Sequence, residues 1–239
     1  MISSPDNEKL KLVRRLRERK HREREGAFLT EGEDLVEAGL RAGAEPRFVL
    51  AAADSGVDGE EVAPELLAKI STLGSGTRAI AVWPQRWSEP KGPACIYLHG
   101  VGDPGNVGAI VRTAHALIEG SVVLGPGCAD PFSPKAVRAS MGSIFGQALA
   151  RGEVEATPRP RAALVAHGGE GTGALGGAGT LCLGAEREGL PSAVLAECDV
   201  QVTIPLRTGG AESLNVAAAA AIACERISSL AMTEASPDA

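Results

Sequence analysis

The segment that most constrains the fold is residues 204–224, IPLRTGGAESLNVAAAAAIAC. A strand over residues 200–204 stops at Pro205, and a Gly-rich turn follows whose backbone can approach a ligand closely. Glu212 then opens a helix of Leu, Val, Ala and Ile that is apolar nearly all round. We therefore predict that this helix is buried on most sides, against its own domain and a second subunit. The alternative is a buried terminal helix after an ordinary turn.

The chain has 239 residues, of which 44% are hydrophobic, and can bury a substantial core in one domain or two. Glu225 and Arg226 interrupt the Ala-rich helix, so we expect no membrane span and no membrane partner. The first long segment of the chain is charged and does not resemble an apolar signal region. A cytoplasmic location is therefore the expectation.

The cysteines are odd in number, widely spaced and mostly set in apolar segments, and they are Cys95, Cys128, Cys182, Cys198 and Cys224. No CxxC pair or Cys/His cluster accompanies them, so we expect neither a zinc site nor a disulfide framework. The expected state is buried free thiols, and no metal is predicted.

The net charge of −6 conceals an asymmetry. Residues 9–25 carry nine Lys or Arg against three acidic residues, and the rest of the chain carries a net −12. This pattern favours one polyanion-facing surface, whereas the alternative is a solvated helix with internal ion pairs. The candidate residues for binding a polyanion are Arg14, Arg15, Arg17 and Arg19.

Strand and helix patterns alternate in two successive units, which indicates an α/β fold, and the alternation in the second unit predicts a parallel sheet covered on both faces. The Pro-rich residues 84–93 separate two such patterns and predict a domain boundary. The predicted domains are a small α/β domain at 1–88, a second domain at 93–232 and a flexible tail at 233–239. Three further predictions concern single elements: one helix from Asn7 to about Gly26, a short edge strand at 153–155, and a last helix at 212–230.

Three stretches of the second domain carry residues suited to chemistry. The first, LHGVGDPGNVGAIVR, contains a GxGxxG pattern after a strand, but Asp103 and Pro104 occupy the loop where a dinucleotide pyrophosphate would approach. Asn106 and Arg112, six residues apart, instead offer an amide and a guanidinium to a phosphate and a ribose. A dinucleotide-dependent enzyme is therefore only a distant alternative.

The second stretch, LCLGAEREGLP, places Gly184 and Glu186 at the carboxyl end of a strand, where ligands of α/β sheets bind. The third is the opening segment, where Ser213 and Asn215 supply a hydroxyl and an amide at the start of a helix. Taken singly, each stretch is also compatible with an ordinary loop.

Taken together and in order, NVGAIVRTA, LGAEREGLP and IPLRTGGAESLNVAAA resemble the three motifs of the SpoU family of the SPOUT superfamily. The stretch KAVRASMGSIF is similar to the family's segment between motifs one and two, and the first eighty or so residues resemble its ribosomal-protein-like RNA-binding domain. The resemblance covers nearly the whole chain. Motif three departs slightly at Arg207-Thr208-Gly209-Gly210, and Arg187 makes motif two more cationic than in many members.

The resemblance implies a knotted C-terminal domain, in which the last segment threads through a preceding loop, and a homodimer. It implies transfer of a methyl group from S-adenosylmethionine to a ribose 2′-hydroxyl of RNA. It places donor contacts at Gly184, Ile204 and Leu214. The reacting ribose would then lie among five residues: Asn106, Arg112, Glu186, Ser213 and Asn215.

We expect the guanidinium of Arg112 to stabilise the negative charge that develops on the ribose oxygen. We favour this role over that of a general base, because a guanidinium gives up a proton very reluctantly. Ribosomal RNA is the favoured substrate, with tRNA and self-protective modification against a ribosome-directed antibiotic as alternatives. A catalytically silent RNA-binding protein is the alternative from another class.

Overall fold

The structure is a computed structural model that describes residues 1–53, 55–73 and 76–234. Within these residues the α-helices are α1 (Glu8–Arg15), α2 (Arg19–Glu25), α3 (Glu33–Arg41), α4 (Pro64–Ile70), α5 (Pro104–Leu117), α6 (Pro134–Ser140), α7 (Ser192–Ala196) and α8 (Val216–Glu234). The strands are β1 (Ala27–Glu31), β2 (Phe48–Ala52), β3 (Glu60–Val62), β4 (Ala79–Pro84), β5 (Cys95–Leu98), β6 (Val122–Leu124), β7 (Leu149–Arg151), β8 (Arg161–Leu164), β9 (Thr180–Leu183) and β10 (Val200–Val202). Short 3₁₀ helices cover Ser143–Phe145, Val154–Ala156 and Thr172–Leu175.

The chain forms two compact units, each built from two segments. The N-terminal unit consists of Met1–Arg86 and Asp130–Gly146, and the C-terminal unit consists of Trp87–Ala129 and Gln147–Ala239. Residues 130–146 thus pack with the N-terminal unit, although the sequence places them inside the second domain. The functional assignment of domains 1–88 and 93–232 stays a prediction.

The N-terminal unit has a four-stranded sheet in the order β1-β4-β2-β3. Strand β4 pairs antiparallel with β1 and β2, whereas β2 and β3 are parallel. The apolar residues that recur every three positions in α1, Leu10 and Val13, are buried in the core with Leu16. The sequence pattern therefore identified the inward face of this helix.

The single helix predicted from Asn7 to Gly26 is wrong, because α1 and α2 are separated by a break after Arg15. The guanidinium of Arg22 reaches back and donates to the carbonyl oxygens of Leu16 at 2.8 Å and Arg17 at 2.7 Å. These bonds satisfy carbonyl groups that a continuous helix would have paired internally. Gly26 ends α2 in the left-handed conformation, at the residue where the sequence predicted the end.

Residues 130–146 form an integral layer of the N-terminal unit. Asp130 makes a buried ion pair with Arg22 at 2.7 Å. Phe132 packs on Phe28, with ring centroids 4.9 Å apart, and Phe145 packs on Trp83 at 4.7 Å. The core of this unit therefore depends on a segment that is distant in sequence.

The C-terminal unit has a six-stranded sheet in the order β10-β8-β9-β5-β6-β7. Every pairing within it is parallel, as the sequence predicted. Helices α5 and α8 pack against each other, and α8 also contacts β9. The carboxyl ends of the parallel strands lie at one edge of the sheet, where the motifs that follow β5 and β9 meet.

Two further element predictions are wrong. Residues 153–155 do not form an edge strand, because Val154 turns into the core within a 3₁₀ helix and Thr157 closes the turn by donating to the Val154 carbonyl at 2.7 Å. The edge strand is β7 instead. The last helix begins at Val216 and not at Glu212.

Within the single chain, helix α8 buries one face, and its predicted burial against a second subunit stays a prediction. Val216, Ala220, Ala223, Cys224 and Ile227 are buried, and Ile222 is 43% exposed. By length and composition alone, Val216–Thr233 meets the test for a membrane span that the sequence argument excluded, with 28% of the window buried. Of the predicted tail at 233–239, the first two residues end this helix, and 235–239 lie outside the described residues.

Candidate active site

Motif one is positioned by the cap of α5. The carboxylate of Asp103 accepts from the backbone N–H groups of Gly105 at 2.6 Å and Asn106 at 3.1 Å, and Pro104 fills the first helical turn. These are the N–H groups that a dinucleotide pyrophosphate would need. The side chain of Asp103 occupies them, which agrees with the rejection of the GxGxxG interpretation.

Motif two forms a closed turn at the end of β9. The backbone of Ala185 exchanges two hydrogen bonds with that of Gly189, at 3.2 and 3.0 Å. A Cβ atom on Gly184 would lie 2.2 Å from the carbonyl carbon of Gly189 and 2.4 Å from the backbone nitrogen of Leu190. The absence of a side chain at Gly184 is therefore required by the turn itself.

Motif three ends at the cap of α8. The side-chain oxygen of Asn215 accepts from the backbone N–H groups of Ala217 at 2.9 Å and Ala218 at 3.3 Å. These bonds explain why the helix starts later than predicted, since Asn215 is the capping residue. The segment from Glu212 to Asn215 is exposed and precedes the helix.

The polar side chains of the three motifs meet in one chain of hydrogen bonds. Asn106 of motif one donates from Nδ2 to Oε1 of Glu186 in motif two. Asn215 of motif three donates from Nδ2 to Oδ1 of Asn106 at 3.1 Å. The three side chains therefore lie together, although Asn106 is 80 positions from Glu186 and 109 positions from Asn215 in the sequence.

A cavity of about 350 Å³ lies beside this cluster at the carboxyl edge of the sheet. Gly184, Ile204 and Leu214, the three predicted donor contacts, all line it. Glu186 and Ser213 line it too, so one predicted catalytic residue of motif two and one of motif three face the same space as the donor contacts. Motifs two and three therefore line one cavity, and motif one is joined to them through the side chain of Asn106.

The sequence analysis missed a group of apolar residues that line the cavity. They come from the end of β8, from the motif-three segment and from the first turn of α8: Leu164, Val165, Ala166, Leu206, Val216 and Ala219. Strand β8 is the neighbour of β9 in the sheet. The rule that ligands bind at the carboxyl ends of adjacent parallel strands was the signal that could have found residues 164–166.

Arg112 does not take part in the hydrogen bonds of this cluster. Six residues separate it from Asn106, which corresponds to about 9 Å along the helix axis and about 120° around it. Its side chain is exposed, and within the described residues no hydrogen bond or ion pair involves it. The guanidinium is thus available to a phosphate, and its catalytic role stays a prediction.

The four candidate RNA-binding arginines differ in what they already contact. Arg17 donates to the carbonyl oxygen of Ile70, and Arg14 donates to that of Pro5 at 3.0 Å. Arg19 forms an exposed ion pair with Glu23 at 2.8 Å. Arg15 is exposed at the end of α1. Their RNA contacts stay a prediction, with Arg15 and Arg19 the more accessible pair.

Similarity to known proteins agrees with the motifs and the cavity. Residues 93–225 match the SpoU rRNA Methylase family, and residues 7–81 match the MRM3-like substrate binding domain. This chain belongs to the SpoU rRNA methylase family. Among the residues that the structure describes, no group of three or more His, Cys, Asp or Glu could hold a metal ion.

Some relatives of this SpoU chain match more than nine-tenths of its length. The 23S rRNA (guanosine(2553)-2′-O)-methyltransferase RlmP of Bacillus subtilis is 31% identical over 92% of this chain and 96% of its own. An AdoMet-bound rRNA methyltransferase from Sinorhizobium meliloti superposes with a TM-score of 0.81 at 28% identity, over 94% of this chain and 95% of its own. A putative RNA methyltransferase of the TrmH family from Porphyromonas gingivalis superposes with a TM-score of 0.78 at 33% identity. The match covers 95% of this chain and 98% of the Porphyromonas gingivalis chain.

Proposed function

We propose that this SpoU chain transfers a methyl group from S-adenosylmethionine to a ribose 2′-hydroxyl of ribosomal RNA. The observation that carries the proposal is the union of three distant motifs, in which Asn106, Glu186 and Asn215 are hydrogen-bonded beside a single cavity. Two relatives that match more than nine-tenths of the chain are named as methyltransferases of ribosomal RNA, which supports that substrate class over tRNA.

The cavity suits the methyl donor. Its volume lies within the range of roughly 300–1,000 Å³ that is usual for small-molecule sites. Apolar side chains such as Ile204 and Leu214 offer contacts to an adenine ring, and the backbone of the Gly184 turn offers hydrogen-bonding groups. When bound, S-adenosylmethionine supplies an electrophilic methyl group on a sulfonium sulfur.

The polar cluster suits the ribose. A displacement at a methyl carbon depends on holding the attacking oxygen in line, and most of the catalytic gain comes from that orientation. The Glu186 carboxylate and the amides of Asn106 and Asn215 can accept from and donate to sugar hydroxyls, and their mutual bonds fix their positions. Ser213 lines the cavity beside them.

Arg112 acts as an electrostatic group in this proposal. Its exposed guanidinium binds an RNA phosphate and stabilises negative charge that develops on the 2′-oxygen. A guanidinium holds its proton, so phosphate or Ser213 takes the proton of the hydroxyl. No metal is needed for these steps.

The N-terminal unit holds the RNA. It matches a substrate-binding domain, and its helices α1 and α2 carry the basic residues 9–25. Arg14, Arg15, Arg17 and Arg19 contact the RNA backbone in this proposal, where cations bind without reading sequence. The enzyme acts in the cytoplasm, where bacterial ribosomes are found.

The active form is a homodimer with the C-terminal segment knotted. Helix α8 leaves the side chains of Ile222 and Met232 43% and 70% exposed. Burial of these side chains by a second copy would remove apolar surface from water. Sedimentation of the purified protein tests the oligomeric state.

Methyl transfer from labelled S-adenosylmethionine to ribosomal RNA of a strain lacking the gene tests the proposed function. We expect incorporation at one ribose, mapped by 2′-O-methyl-sensitive primer extension. Glu186→Gln should lower turnover by about 100-fold, because the carboxylate charge of the cluster is lost. Glu119→Gln removes an exposed acid of the same unit that does not line the cavity, so it is the matched control and should retain turnover.

Absence of transfer to any RNA by the folded wild-type protein would favour a silent RNA-binding role. Transfer to tRNA alone would contradict ribosomal RNA as the substrate.

A further inference from the structure

The stretch KAVRASMGSIF has no part in the proposed methyl transfer, and it brings Arg138 to the N-terminal unit. Arg138 lies in α6, within the segment 130–146 that packs with this unit. Its side chain is half-buried, and its Nη1 donates to the hydroxyl oxygen of Thr72 at 3.0 Å. Among the described residues Arg138 has no other hydrogen-bond partner, so its guanidinium retains N–H groups for a ligand.

Thr72 belongs to a turn at residues 70–73 that a buried carboxylate holds in place. Glu31, at the end of β1, is only 4% exposed. Its Oε2 accepts from the backbone N–H groups of Thr72 at 2.7 Å and Leu73 at 3.3 Å. It also accepts from the hydroxyl groups of Ser71 and Thr72, each at 2.9 Å. These bonds fix the turn, and burial keeps the negative charge of the carboxylate away from the surface.

The hydroxyl group of Thr72 links Arg138 to Glu31. It accepts from the guanidinium and donates to the carboxylate, so one neutral group joins the two charges. Among the described residues no direct ion pair joins Arg138 and Glu31, and the positive charge stays available to an anion. Glu31 and Thr72 are therefore positioning residues for the guanidinium of Arg138.

A second guanidinium contacts the same turn from the basic segment. Arg17 lies between α1 and α2, and its Nη2 donates to the carbonyl oxygen of Ile70, where α4 ends. The Cα atoms of Ile70 and Thr72 are at most about 7 Å apart, since an extended chain spans no more than about 3.6 Å per residue. Two cations from distant parts of the sequence thus converge on one turn, and guanidinium groups are well suited to phosphate.

We propose that Arg138 and Arg17 bind the phosphate backbone of the RNA together at this turn. The inference rests on the proposed function and extends its RNA surface from the basic residues 9–25 to the segment 130–146. Contacts to phosphate position a nucleic acid and carry no sequence information. The turn therefore fixes how the RNA lies on the N-terminal unit, and the choice of nucleotide is made elsewhere.

The test measures filter binding of ribosomal RNA from a strain lacking the gene, across a salt series, with the full-length protein. Arg138→Ala should weaken binding several-fold and lower the slope of log affinity against log salt by about 1, for one lost phosphate contact. Arg41→Ala removes an exposed arginine of α3 and is the matched control, which should leave the slope as it is.

The positioning role is tested at Thr72, which is exposed and can be changed without loss of fold. Thr72→Val removes the hydroxyl group and keeps the shape of the side chain, so we expect weaker RNA binding. Thr72→Ser keeps the hydroxyl group and should bind as the wild type does. When Arg138 is already replaced by Ala, Thr72→Val should have no further effect, which a general loss of structure would not produce.

An unchanged salt slope in Arg138→Ala, or an equal reduction in Arg41→Ala, would overturn the proposal. Additive losses from Thr72→Val and Arg138→Ala would refute the positioning role. Methyl transfer by the same proteins separates this proposal from the proposed function. A wild-type protein whose RNA binding depends on Arg138, but which transfers no methyl group, would support the phosphate site and count against the proposed function. Methyl transfer to ribosomal RNA with a slope that Arg138→Ala does not change would do the reverse.

Discussion

Gly184 shows how a single residue can be constrained by the protein itself in addition to a ligand. A methyl group at this position would overlap the backbone of Gly189 and Leu190. We expect Gly184→Ala to destabilise the fold by about 1–3 kcal/mol, the usual cost of overpacking, and to weaken binding of S-adenosylmethionine. Urea unfolding and calorimetry measure the two effects.

Gly171→Ala is the matched control for this change. Nothing lies within 4 Å of a Cβ atom at Gly171, and its φ angle of −69° is open to any residue. We expect both stability and donor affinity to be retained there. Equal losses in the two variants would contradict the crowding argument for Gly184.

The polar cluster was predictable in its members and not in its contacts. Asn106, Glu186 and Asn215 were found from the ordered motifs, because these motifs have a distinctive residue pattern. The contact of Asn106 with the other two side chains depends on the path of the chain between strands. A sequence pattern does not specify that path. The break near Leu16 could not be predicted either, since it depends on where the Arg22 guanidinium folds back.

Among the elements, α8 depends on one residue for both its start and its place in the site. Asn215 caps the helix through its side-chain oxygen and reaches Asn106 through its side-chain nitrogen. We expect Asn215→Asp to keep stability within a few tenths of a kcal/mol, because Asp is an equally good cap, and to lose turnover. Asn215→Ala should lose turnover and about 1 kcal/mol of stability.

Urea unfolding and methyl transfer assays distinguish these outcomes for Asn215. If the Asp variant retained full turnover, the amide donor would have no part in the site. The predicted start of this helix was wrong because the prediction used the run of apolar residues. The first helical residue is determined by the capping hydrogen bonds of Asn215, which the run does not indicate.

Helices α1 and α2 and the turn between them hold the predicted RNA-binding arginines, and the accessible Arg15 and Arg19 can be changed without loss of fold. We expect Arg15→Ala with Arg19→Ala to weaken RNA binding and to lower the slope of log affinity against log salt by about 2, for two lost phosphate contacts. Filter binding across a salt series measures this change. Donor affinity should be unchanged.

The control for this pair is Arg41→Ala, which removes an exposed arginine of α3 that is paired with Glu37. It should leave the salt slope as it is. An equal reduction by Arg41→Ala would mean that RNA binding senses total charge and not the basic segment.

At the scale of the whole molecule, the N-terminal unit is not a continuous stretch of chain. A fragment of residues 1–88 would lack Asp130 and leave the buried Arg22 unpaired, which costs about 3–5 kcal/mol. It would also expose the ring surfaces that Phe132 and Phe145 cover. Since small domains are stable by only about 5–15 kcal/mol, we expect this fragment not to fold.

Circular dichroism with urea unfolding tests the fragment. The same fragment with residues 130–146 attached through a flexible linker is the control and should unfold cooperatively. Cooperative unfolding of 1–88 alone would show that the attached segment contributes little to stability. The predicted boundary at 84–93 could not reveal this dependence. A Pro-rich linker indicates where the chain leaves the N-terminal unit, and it does not indicate that residues 130–146 pack against that unit again.

The return of residues 130–146 to the N-terminal unit bears on how such enzymes could exchange recognition parts during evolution. A single crossover in the linker would join a foreign front half to a rear half that still carries the old Asp130 and its neighbouring phenylalanines. In such a hybrid protein, the two segments that form the core of the N-terminal unit would come from different parents and would not fit each other. New target specificity in this lineage would arise more readily by two coordinated crossovers, or by substitution at exposed positions, than by a simple swap of the first third of the gene.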